Sequence, residues 1–153
     1  NVMLVKCVNK EIDIKIGLEF NKYYIVMGVE IYLTDILFLI ADSQGYPLWT
    51  SKKYFDVIDN SLPKGYSIQV NPQKTLCDTF YIWSDVLVLI GYSKLLESAN
   101  HYAKLIERES QDIKYFNNIY LDILNKYYLE YAFPPPNLEL GLDFPEPQLS
   151  FRG

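Results

Sequence analysis

The hydrophobic pattern changes its period once, near Gly91, and that single change restricts the chain to few architectures. Before Gly91 the apolar residues alternate; after it they recur every third or fourth position. Period two belongs to strands and period 3.6 to helices, so the pattern predicts sheet first and helices afterwards. Strands grouped ahead of helices imply an α+β domain with an antiparallel sheet, not alternating βαβ units. In residues 23–33 the odd positions Tyr23, Ile25, Met27, Val29, Ile31 and Leu33 are all apolar, with Gly28 marking a bulge or bend. The run from Ile36 to Ala41 is a natural antiparallel partner, closed by the turn Asp42-Ser43-Gln44-Gly45. Short, strongly bent strands of this kind suit a small barrel.

Around that centre, residues 3–8 read as a first strand and Ile12-Asp13-Ile14-Lys15-Ile16 as a half-buried strand or extended lead-in. Residues 66–70 alternate again. Residues 79–83 and 86–90 read as strands, with a helix starting at Ser84 as the competing assignment. Three helices follow, over residues 94–98, 101–109 and from Ser110 to about Phe133. Ile113, Phe116, Tyr120, Leu124 and Tyr127 mark the buried face of the last, and three consecutive prolines stop it. The chain therefore divides into one α+β domain over residues 1–133, with strands over 1–90 and helices over 93–133, and a Pro-rich acidic tail over 134–153. Its predicted core includes Ile25, Met27, Val29, Phe38, Ile40, Ile68, Phe116 and Tyr120.

Little in the chain carries chemistry. His101 is the only histidine, and no nucleophile or orienting carboxylate is marked by spacing around it. Cys7 and Cys77 lack metal-ligand spacing and read as free thiols in a reducing cytoplasm. Glu107 and Glu109 lie two apart on a predicted helix, so they do not face one another. There is no phosphate-cradling glycine loop. These features predict no catalytic residue, no metal site and no cofactor. A net charge of −5 disfavours a phosphate backbone and suits a basic partner. Tyr46, Trp49, Tyr54 and Tyr66 could stack bases, but only Lys52, Lys53 and Lys64 accompany them. No apolar run is long enough to span a membrane, and residues 1–8 lack the apolar core of a signal peptide.

Gly28 with its strand, the Asp42 turn, Pro47-Leu48-Trp49 and Tyr54-Phe55-Asp56-Val57-Ile58-Asp59 together form a recurring pattern. With Gly91-Tyr92, His101-Tyr102 and Leu105-Ile106-Glu107-Arg108, it resembles small immunity-type proteins encoded beside bacterial polymorphic and contact-dependent toxins. The resemblance covers residues 22–120. The chain has Ile90-Gly91-Tyr92 where that family usually has Trp-Gly-Tyr, and Leu48-Trp49-Thr50 where it often has Trp-Tyr-Pro. The resemblance implies an SH3-like barrel followed by two or three helices. It also implies a non-enzymatic, cytoplasmic role in which the protein silences a cognate toxin domain by stoichiometric binding.

An inhibitor of this kind offers aromatic anchors within an acidic rim. The residues that supply both are Asp42, Tyr46, Trp49, Tyr54 and Asp56, with Glu107 and Glu109 extending the rim if the helices pack beside the barrel. Trp49 and Tyr54 can equally close the barrel end. A nucleic-acid or adaptor module using the barrel is the alternative reading, and an enzyme the third.

Overall fold

The structure, a computed structural model, describes residues 2–12 and 16–130. Its strands are β1 (Met3–Cys7), β2 (Tyr23–Ile25), β3 (Gly28–Ile31), β4 (Ile36–Ala41), β5 (Pro47–Ser51), β6 (Phe55–Asn60), β7 (Tyr66–Val70), β8 (Thr75–Cys77), β9 (Phe80–Ile82) and β10 (Val88–Tyr92). Helices α1 (Ser93–Glu97), α2 (Ala99–Ile106) and α3 (Ser110–Glu130) follow. The strands form three antiparallel sheets, ordered β2-β1-β6, β5-β4-β3-β10-β7 and β8-β9. The α+β class and the change of regime at Gly91 are as the periodicity predicts. The pairing leaves β5 and β7 as edges of the large sheet.

The single strand predicted over residues 23–33 is two strands in different sheets. Val26 N–H still donates to Met3 of the small sheet at 2.9 Å, while Met27 N–H donates to Leu39 of the large one at 2.7 Å. The change of partner lets consecutive Ile25, Val26 and Met27 all be buried, which strict alternation forbids. Leu33 lies in the bend beyond β3 and is 88% exposed, not in the core. The alternating stretch over residues 12–16 falls mostly outside the described residues, and neither Ile12 nor Ile16 is in a strand.

Two cores lie on opposite faces of β4. Phe38 and Ile40 join Val5, Leu18, Tyr24, Val26, Val29 and Phe55 between the two sheets. Leu39 and Ala41 join Ile25, Met27, Leu89 and the helical residues Leu95, Leu105, Phe116 and Leu124. Burial on both faces is the reason for the unbroken apolar run of this strand.

Ile68, like Leu33, is a predicted core residue that the structure places outside, at 60% exposure. It sits on edge strand β7 opposite Ile90, and no residue of β7 belongs to the core between the sheets. The alternation placed it on the right face; that face is simply uncovered there.

Gly28 and Gly91 are cross-strand partners. A Cβ at Gly28 would lie 2.8 Å from Leu95 Cδ2, and one at Gly91 2.7 Å from the same atom. The pair forms a pit for fully buried Leu95, so α1 can begin directly after β10 and lie close on the sheet. No helix begins at Ser84. Trp83 and Asp85 flank it with φ of +61°, and the chain runs on into β10. Ser98 Oγ accepts the His101 N–H at 3.0 Å and starts α2. The predicted buried face of α3 is buried throughout. Its predicted end near Phe133 and the tail over 134–153 lie outside the described residues. Among the described residues, no helix is long and apolar enough to cross a membrane.

Candidate functional site

The β4–β5 turn is built by Asp42. Its Oδ1 accepts the N–H groups of Gln44 and Tyr46, both at 2.9 Å, and Gly45 adopts φ of +86°. Arg108, in the turn between α2 and α3, lays its guanidinium 4.5 Å from the Tyr46 ring centroid. Its Nη2 is 3.9 Å from Asp42 Oδ2. Glu107 and Glu109 flank Arg108 and are exposed. The structure thus gathers Asp42, Tyr46, Glu107 and Glu109 at one corner. Asp42 is only 6% exposed, so it holds the turn and offers little surface to a partner. Arg108 is absent from the sequence-based set, because its approach to Tyr46 depends on how the helices dock.

Tyr54 and Asp56 do not join that corner. Tyr54 ends a 3-10 turn (Lys52–Tyr54), packs against the core between the sheets, and accepts Val8 N–H at 2.9 Å through its carbonyl. Asp56 is exposed on β6, opposite Lys6 of the small sheet.

Trp49 faces the helices. It lines a cavity of about 370 Å³ with Glu30, Tyr32, Trp83, Tyr102 and Ile106. Tyr102 is the hub, its ring centroid 5.8 Å from Trp49 and 5.5 Å from Trp83. Glu30 is 2% exposed; its carboxylate accepts the Tyr32 hydroxyl at 3.3 Å and also the Tyr102 hydroxyl. Burial pushes the Glu30 carboxyl above its usual range, against the opposing pull of the two phenol hydrogen bonds. The indole N–H groups of Trp49 and Trp83 are buried without an acceptor. A buried donor left unmade costs about 1–3 kcal/mol. Sequence reasoning named Trp49 but missed Glu30, Trp83 and Tyr102. The available signal was a lone acid in a stretch otherwise apolar on both faces.

His101 is not isolated, as its sequence surroundings suggested. Its Nδ1 is 2.7 Å from Asp112 Oδ1 and its Nε2 is 2.8 Å from the Tyr92 hydroxyl. Asp112 comes from the first turn of α3, eleven residues away, so spacing along one helix could not reveal it. A carboxylate–imidazole–hydroxyl chain has the connectivity of an activated nucleophile. Here His101 is 1% and Tyr92 4% exposed, and burial pushes the Tyr92 phenol well up. The neutral tautomer that donates from Nδ1 to Asp112 and accepts at Nε2 satisfies all three groups. The chain of bonds ties β10, α2 and α3 together.

No protein-family model matches this chain, and no curated protein or solved structure does either.

Proposed function

We propose that this chain is an immunity-type protein that neutralises a cognate, basic toxin domain by direct binding in the cytoplasm, with its sheets forming a barrel of SH3-like type. The observation that carries this reading is the Asp42–Arg108 corner. Exposed carboxylates Glu107 and Glu109 stand on either side of a cation stacked on Tyr46, beside the Trp49 cavity. The corner offers an aromatic centre and an acidic rim on one side of the molecule, a combination that anchors and steers a basic protein. The overall charge of −5 acts in the same direction. Within this reading Tyr46, Trp49, Glu107 and Glu109 meet the toxin, and Asp42 shapes the turn that presents them.

The test is co-purification with, and protection against, the toxin domain encoded beside this protein. Tyr46→Ala and the double change Glu107→Lys, Glu109→Lys should each weaken binding by about 1–3 kcal/mol while leaving the fold intact. Unchanged affinity in both folded variants removes this corner as the interface. Absence of any complex with the wild-type protein removes the function.

A further inference from the structure

We infer that the cavity between Trp49 and Trp83 is a binding site for a guanidinium group, with Glu30 as its counter-ion. The inference stands whether or not the chain is an immunity protein. A carboxylate 2% exposed normally sits beside a cation, because an unpaired charge loses its hydration without return. Among the described residues none of the ion pairs involves Glu30. Tyr32 and Tyr102 each donate one hydroxyl to it, which leaves one further lone-pair direction on each oxygen. Trp49, Trp83 and Tyr102 line the same cavity as this carboxylate, with exposed Tyr81 and Ile106 at the mouth. Aromatic walls around a carboxylate are suited to an organic cation, which the ring quadrupoles attract and the carboxylate neutralises.

The remaining lone pairs select among cations. A guanidinium presents a planar fork of N–H donors that can meet both oxygens while its face lies on an indole. A tetraalkylammonium has no N–H and leaves the carboxylate oxygens unmet. The cavity, about 370 Å³, has room for the head and the methylene stem behind it. The two indole N–H groups without acceptors lie in residues of the same wall. Being buried donors, they take no part in holding a guanidinium, which offers no acceptor.

The protein reports on this site directly, because its only two tryptophans both line the cavity. Ethylguanidinium at constant ionic strength, and well below denaturing concentrations, should change tryptophan fluorescence along a saturable curve. Ethylurea, the neutral isostere, should not. Tetramethylammonium should bind more weakly than ethylguanidinium. Glu30→Gln keeps partners for both phenols but removes the charge, and should weaken ethylguanidinium binding at least about ten-fold with an unchanged far-UV spectrum. A blocked Gly-Arg-Gly peptide binding more tightly than ethylguanidinium identifies the natural source as an arginine of a polypeptide; equal or weaker binding identifies a free guanidino compound. No saturable response in the folded wild type, equal binding by Glu30→Gln, or equal response to ethylurea or tetramethylammonium overturns the assignment. Should Glu30→Gln fail to fold, Ile106→Phe at the mouth replaces it, adding bulk without a third indole. Blocking the entrance must then abolish the ethylguanidinium response, and persistence of that response overturns the assignment.

Discussion

Several buried side chains bear charges or protons whose surroundings decide their behaviour. Burial lowers the pKa of His101 from its ordinary 6.5, with the Asp112 hydrogen bond and charge pulling the other way. The folded protein therefore holds the ring neutral where the unfolded chain takes up a proton. The stability this contributes is complete above pH 6.5 and is lost as the pH falls through 6.5 and past the lower folded value. The melting temperature of the wild type should fall over that window more steeply than that of His101→Gln, as a pH series of thermal melts would show. Parallel curves would mean that His101 titrates alike in both states. For Glu30 the sign is reversed. Its raised folded pKa means that stability is lost as the pH rises from 4.5 through the folded value, so Glu30→Gln should be the more stable protein at pH 8. Equal urea midpoints for the two at pH 8 would contradict this. Neither behaviour was legible in the sequence. Asp112 and Tyr102 reach their partners only through the docking of α3 and α2, and a residue's neighbours in the chain do not record that.

At the level of elements, the strongest constraint is the glycine pair. Gly91→Ala places a methyl where Leu95 Cδ2 already sits, 2.7 Å away, and should cost about 1–3 kcal/mol through displacement of α1. Urea titration should show a lower midpoint with an unchanged slope, and the double change Gly91→Ala, Leu95→Ala should be less destabilised than the sum of its two single changes. The position of Gly91 at the boundary was readable from the change of period. Its pairing with Gly28 was not, because register across a sheet depends on strands that contact each other only after folding. The partner exchange at Val26 was hidden for a related reason: apolar alternation continues through residues 25–29 while the hydrogen bonds change hands. Ile68 shows the limit of periodicity from the other side. Alternation tells which residues share a face; it does not tell how far the covering layer extends.

Across the whole molecule, β4 contributes alternate residues to both cores, so neither layer can loosen without disturbing the other. Cys7, fully buried between the sheets, and the two tryptophans beneath the helices report on opposite sides of that strand. In a Cys77→Ser background, thiol labelling of Cys7 and tryptophan fluorescence should give one shared urea midpoint. Release of Cys7 at lower urea would show that the layers open separately. The order of the elements along the chain has a further consequence during synthesis. Strand β10 lies between β3 and β7 in the large sheet, yet among the described residues it is the last strand to be made. A nascent chain that has left the ribosome only as far as Asp85 therefore carries two unpaired strand edges, and a helix-facing surface of Met27 and Leu39 with nothing to cover it. The helices that cover it come later still, so exposure to misassociation is greatest before Tyr92 is made and ends only after Leu124 has followed.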